Sequence, residues 1–332
     1  MKKLKDFTYL HLKNYTVKSL SVKSSYLKGN PLGDPHLRHN PVLVPNKGEV
    51  EGIVVILAGF FGNGPNYLGP KSFEENYAET IDRLTTKSKA PNAAYIFVDA
   101  WTSLGGSQFI NSSAVGKYED YLVKEVLKQA KDTFGKDKKV AICGGSSGGY
   151  GAIHLASKYP KDFPYVMALA PDSAFELSLL KDIYKAANYL VHFKQADFLK
   201  KLKAGDLSRL RDFHPILNAV AMAACYSPRG KNIDLPVDFY TGEIKTSIWK
   251  KWLEKDPVHF LTKRIGACKK LKAVFLEVGK KDEFQLQFGA RRIHKLWKKN
   301  KIPHHYNEFD GGHFDLSTRR EAMLTWLKDT WT

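Results

Sequence analysis

Cysteine is scarce in this sequence. Cys143, Cys225 and Cys268 are odd in number and far apart, which excludes a disulfide framework, and no pair has the Cys-x-x-Cys spacing of a metal or thiol-redox site. His-Glu-x-x-His is absent, and His36-x-x-His39 offers only two ligands in a proline-containing loop, so no metal is expected. No Gly-x-Gly-x-x-Gly follows a strand pattern and no Gly-Lys pair precedes Ser or Thr, which leaves out dinucleotide and P-loop sites; no cofactor is expected. Long apolar runs are missing as well. Asp6, His11, Lys13 and Asn14 break up the N-terminal stretch, so neither a signal peptide nor a transmembrane segment is read, and the expected location is cytoplasmic.

Acidic residues are outnumbered. The chain has 34 Asp and Glu against 52 Lys and Arg, a net charge of +18. Yet the lysines are dispersed in pairs such as Lys138-Lys139, Lys250-Lys251 and Lys298-Lys299, with no block of one sign and no aromatic-interleaved motif. Most of this charge reads as a solvated surface. It argues against a specific nucleic-acid partner and is compatible with an anionic small-molecule substrate. Oligomeric state is not legible.

What is present is ample core material, 43% hydrophobic and 12% aromatic residues, in an alternating order. Tyr15–Val22 and Pro41–Val44 have strand character. Ile53–Leu57, Ala94–Val98, Lys139–Cys143 and Tyr165–Ala170 are short apolar runs, separated by helical periodicity over Ser72–Leu84, Val115–Phe134 and the stretch after Gly149. Strand and helix in alternation predict a mostly parallel central sheet with helices on both faces. The alternation lapses over 173–262, a helix-rich stretch with apolar clusters at Phe175–Tyr184, Leu190–Leu199 and Ile216–Cys225, read as a cap or lid inserted within one domain spanning 1–332. It resumes with a strand at Ala273–Val278, a helix at Phe284–Trp297, a strand at His304–Phe309 and a closing helix at Thr318–Trp331.

The chemistry concentrates where strands end. Between the apolar run ending at Cys143 and the following helix lies Gly145-x-Ser147-x-Gly149, a pattern that lifts a serine hydroxyl onto a sharp strand-to-helix turn. A glycine-rich turn alone carries no chemistry. Here, however, Asp282 follows the strand Ala273–Val278 and His313 follows His304–Phe309, and Ser, Asp, His is the chain order of a hydrolase triad. An imidazole takes the proton that makes a serine hydroxyl nucleophilic, and a carboxylate fixes the imidazole's tautomer. Asp172, after Tyr165–Ala170, ranks second to Asp282 as the acid. Trp101, at the end of its strand, is a candidate pocket wall.

Val54–Gly59, Gly105–Glu119, Gly144–Ala152, Gly279–Glu283 and Gly311–Phe314 together resemble the esterase group of α/β-hydrolases, which includes feruloyl esterases, enterochelin esterases, S-formylglutathione hydrolases and mycolyltransferases. The resemblance implies an α/β-hydrolase fold and a serine esterase. By motif position it makes Ser147 the nucleophile, His313 the base and Asp282 the acid, with the amides of Gly148 and Phe60 as the oxyanion hole. Ser146 stands where many members carry histidine and leaves the nucleophile ambiguous by one residue; Ser147 is preferred because Gly145 and Gly149 flank it symmetrically. An acyltransferase using the same triad and a non-catalytic binding protein on this fold are the alternatives.

Overall fold

The computed structural model describes residues 2–3, 10–192, 200–201, 204, 213–230 and 232–332. The strand β4, Gly52–Leu57, is buried along its whole length, as expected of a β-branched run covered on both faces. It lies near the middle of a nine-stranded sheet with β1 (Lys2–Lys3), β2 (Tyr15–Lys23), β3 (Leu37–Pro45), β5 (Ala94–Phe97), β6 (Lys139–Gly145), β7 (Tyr165–Leu169), β8 (Ala273–Gly279) and β9 (His305–Phe309). The spatial order is β1-β2-β3-β5-β4-β6-β7-β8-β9. Pairing is antiparallel from β1 through β3 to β5 and parallel from there to β9. The parallel part is the α/β-hydrolase sheet, and it directs the carboxyl ends of β4, β6, β7, β8 and β9 to one edge.

Alternation along the strands decides which helix each residue meets. Ile53, Val55 and Leu57 face a core shared with Tyr121, Leu122, Ile153 and Ile293, while Val54 and Ile56 face Tyr77, Ile81, Met323 and Leu327. The first face is covered by α2 (118–134), α3 (Ser147–Lys158) and α10 (Leu286–Lys299), the second by α1 (Tyr77–Thr86) and α11 (Arg320–Trp331). Helix α2 is composite: Tyr118–Asp120, a π-helical turn at Tyr121–Val126, then Leu127–Phe134.

Two helix starts differ from the sequence reading for local reasons. Helix α1 begins at Tyr77 rather than Ser72, because Asn76 accepts from the Glu79 amide at 3.0 Å while Glu79 accepts from the Asn76 amide at 2.8 Å, a capping box. The long helix begins at Tyr118 rather than Val115, since Gly116–Lys117 pairs with Asn111–Ser112 as a small hairpin. Within 173–262, the described helices are α4 (Phe175–Ser178), α5 (Leu180–Leu190), α6 (Phe213–Tyr226), α7 (Thr246–Leu253) and the start of α8 (Pro257–Lys263), followed by α9 (Ile265–Cys268). Of the apolar cluster at Leu190–Leu199, residues 193–199 lie outside the described residues.

One buried ionic cluster ties α2 to α3. The Glu119 carboxylate accepts from His154 Nε2 at 2.8 Å, Lys158 Nζ at 2.6 Å and the Tyr159 hydroxyl at 2.6 Å. Burial acts to raise its pKa, but these donors outweigh it and hold the carboxyl at about 2. A depressed carboxylate pKa contributes stability above its ordinary value near 4.5, and that contribution is lost as pH falls toward 2. Glu119→Gln is therefore expected to cost about 3 kcal/mol near neutral pH. It should cost little at pH 2, so urea unfolding at both pH values will show the two proteins converging in acid.

Candidate active site

Strand β6 ends at Gly145 and α3 starts at Ser147, leaving Ser146 alone to make the turn. Ser146 has φ 57° and ψ −126°, a conformation that costs a non-glycine residue on the order of 1–3 kcal/mol. It is locked there from both sides: its amide donates to the Leu169 carbonyl at 2.9 Å, and its carbonyl accepts from the Tyr150 amide at 2.9 Å. The turn is tight enough to demand two glycines. A Cβ on Gly144 would lie 2.4 Å from the Gly148 carbonyl carbon, and one on Gly148 would lie 2.3 Å from the Leu57 oxygen. Gly144-x-Ser146-x-Gly148 is thus the five-residue pattern that the backbone uses, one position earlier than Gly145-x-Ser147-x-Gly149.

The two serines therefore have different surroundings. Ser147, on the first turn of α3, is 1% exposed; its hydroxyl donates to Asp172 Oδ2 at 2.8 Å and accepts from Gln108 Nε2 at 2.9 Å. Ser146 instead lines a cavity of about 190 Å³ together with His313, Gly59 and Leu316. The expectation that Ser147 is the presented serine does not fit this arrangement, because the strained turn projects the residue before it.

His313 begins the helical turn after β9, and its Nδ1 lies 2.8 Å from Asp282 Oδ2. The Asp282 side chain is fully buried, and its other oxygen accepts from the amides of Phe284 at 2.9 Å and Leu286 at 3.4 Å. That network makes Nδ1 the protonated nitrogen and leaves Nε2 with a free lone pair. The Phe284 ring, edge-on at 4.7 Å, and a 2.6 Å hydrogen bond from the His313 amide to Glu283 Oε2 hold the residue in place.

Asp172 does not touch the imidazole. Its Oδ1 accepts from the Ser146 hydroxyl at 3.3 Å and its Oδ2 from Ser147 and, at 3.4 Å, from Gln108. Desolvation raises its pKa, against the hydrogen bond from Ser147 and the nearby His313, which act to lower it. No hydrogen bond joins Ser146 to His313 in this structure. The Gly59–Phe60 peptide passes beside Ser146, since a Cβ on Gly59 would stand 3.7 Å from the Ser146 Cβ. Gly148 sits one residue further into α3 than the residue following Ser146.

Trp101 is not in this cavity. It lies 42% exposed on a two-residue hairpin strand with its carbonyl accepting from Arg38 at 2.9 Å. Three residues missed in the sequence do belong to the region. Gln108 is buried with φ 53° and bonds Ser147; Tyr67 and Arg320 line the cavity with Ser146. Among the described residues no group of three His, Cys, Asp or Glu is placed to hold a metal ion, and no helix is long and apolar enough to cross a membrane.

Comparison with known proteins adds the following. No curated protein matches the chain. A ferulic acid esterase superposes with a TM-score of 0.56 at 16% identity, covering 97% of this chain and 100% of that one. FphF, a fluorophosphonate-binding serine hydrolase of Staphylococcus aureus, gives 0.57 at 15% identity over 95% and 99%. An S-formylglutathione hydrolase from Agrobacterium tumefaciens gives 0.57 at 14% identity over 100% and 99%. At these identities the likeness is one of fold. The family described as "Putative esterase" matches residues 74–318, about three quarters of the sequence. The chain belongs to this esterase family of the α/β-hydrolases.

Proposed function

We propose that this protein is a serine esterase that cleaves carboxylic esters through an acyl-enzyme on Ser146. The observation that carries the reading is the strained turn placing Ser146 in one cavity with His313, whose Nδ1 is held by a buried carboxylate. The Ser146 hydroxyl, turned from Asp172 toward His313 Nε2, attacks the ester carbonyl while Nε2 takes its proton. Asp282 stabilises the imidazolium. The oxyanion is received by the amides of Phe60 and Ser147, the latter replacing Gly148 because it directly follows Ser146; such a donor is worth on the order of 10²–10³ in rate. The imidazolium then protonates the leaving alcohol, and water, deprotonated by the same nitrogen, releases the acid and restores Ser146.

The segment 173–262 is proposed as the cap that shapes specificity. Two contacts support this: Met222 on α6 lies 2.9 Å from Gln108, which in turn bonds Ser147, and the His214 ring stands edge-on to Phe61 at 4.7 Å. Phe61 is next to the proposed oxyanion donor Phe60, so α6 flanks both sides of the reaction centre.

A fluorophosphonate probe tests the assignment. Wild type and Ser147→Ala are expected to be labelled, whereas Ser146→Ala is not; labelling that survives in Ser146→Ala and vanishes in Ser147→Ala would return the nucleophile to Ser147. Asp282→Asn should lower kcat on a 4-nitrophenyl ester by roughly 10⁴. Ser146→Gly should abolish turnover yet raise stability by about 1 kcal/mol, because release of the positive-φ strain exceeds the added chain entropy of glycine. A thermal melt checks this, and a lower melting temperature would contradict the strain.

A further inference from the structure

Arg320 opens α11 and lines the same cavity as Ser146 and His313. Its guanidinium lies over two aromatic faces, 4.4 Å from the Tyr77 ring centre and 5.2 Å from that of Tyr67. Other described arginines find acceptors: Arg38 pairs with Asp99, Arg83 with Glu75 and Glu321, Arg291 with Glu308, Arg292 with Glu176, and Arg319, its neighbour, with Glu277. Arg229 pairs with Asp234, and Arg264 donates to Ser157 and the His154 carbonyl. Among the described arginines Arg320 alone has neither an ion pair nor a side-chain hydrogen bond. A guanidinium presents five N–H donors in a planar fork shaped for a carboxylate or phosphate. Cation–π contacts satisfy its faces and leave that fork open.

We infer that Arg320 binds an anionic group of the substrate, so that the preferred esters carry a carboxylate or phosphate on the arm entering this cavity. The inference rests on the esterase reading above and names its substrate class. At about 190 Å³ the cavity is comparable with the roughly 150 Å³ site that accepts benzene in an engineered core, room for a short chain ending in an anion. Leu316 and Met323 offer apolar surface to such a chain, and Arg320 at the end of it is the only lysine or arginine lining the cavity. The surface excess of lysine would draw anions to the molecule in general; Arg320 would select them at the reacting serine.

A competing account is purely architectural. Tyr67 lines the cavity beside Gly59, so Arg320, by clamping Tyr67, could serve only to hold the Gly59–Phe60 loop. The two accounts differ in what the substrate's charge does. Initial rates on matched pairs will separate them: 4-nitrophenyl hemiglutarate against 4-nitrophenyl pentanoate places the anion on the acyl arm, and 4-carboxyphenyl acetate against phenyl acetate places it on the alcohol. In at least one pair the wild type should favour the anionic ester in kcat/KM. Arg320→Met should shrink that ratio about ten- to a hundredfold, the worth of a hydrogen bond between charged groups, and Arg320→Lys should restore part of it. A wild-type ratio near one in both pairs, or equal losses on charged and neutral esters in Arg320→Met, overturns the inference while leaving the esterase reading intact. Should no ester be turned over, that reading fails, and calorimetry still decides this one: glutarate should bind Ser146→Ala protein and not the Ser146→Ala/Arg320→Met double variant, and equal binding by the two overturns it.

Discussion

The contact on which the site depends is the approach of α3 to β4, where Gly148 lies against the Leu57 carbonyl with no space for a side chain. This closeness forces the chain to reverse within one residue after β6, and so forces Ser146 into its positive-φ conformation. The reversal leaves the first amides of α3 without helical partners and aims them at the point where the serine oxygen emerges. Strain at Ser146 is sustained because neighbouring elements fix both of its backbone groups: β7 through the Leu169 carbonyl and α3 through the Tyr150 amide. The presentation of Ser146 is thus a product of packing between elements.

Around that turn the groups are arranged by register. Gly144 pairs with Leu57, Gly145 with Leu169 and Leu169 with Glu277, so strands β4, β6, β7 and β8 end nearly level. Short loops from these level ends bring Phe60, Asp172 and Asp282 to the serine turn, and β9 adds His313. The pair His313–Asp282 is held by hydrogen bonds to both carboxylate oxygens. The contact between Ser146 and Asp172 is longer and competes with the imidazole for the same hydroxyl. Ionisation of Asp172 and the orientation of Ser146 are consequently linked.

The fold was legible in the sequence because its strands are apolar runs bounded by breakers, a local signal. Asp282 and His313 could be found the same way, each just past a run. The serine presented by the turn was legible only to within one residue. Gly144 to Gly149 contains two overlapping copies of the same pattern, one centred on Ser146 and one on Ser147, and glycine spacing cannot choose between them. What chooses is the end of β6, set by pairing of Gly145 with Leu169, a long-range contact. Trp101 follows a strand as the candidate site residues do, but its chain turns back in a hairpin held by Arg38, away from the cavity of Ser146. Arg320 left no trace in the sequence, where it is one basic residue among 52, because its significance lies in the partner it lacks.

The groups gathered at this edge arrive in a definite order along the chain: Phe60, Ser146, Asp172, Asp282, His313 and Arg320. The residues of the strained turn and of all nine strands precede His313 in the chain. Until β9 pairs with β8, His313 has no Asp282 beside it, and the site proposed above is incomplete. On the proposed reading, the hydrolytic site is complete only once the last strand of the sheet has joined it.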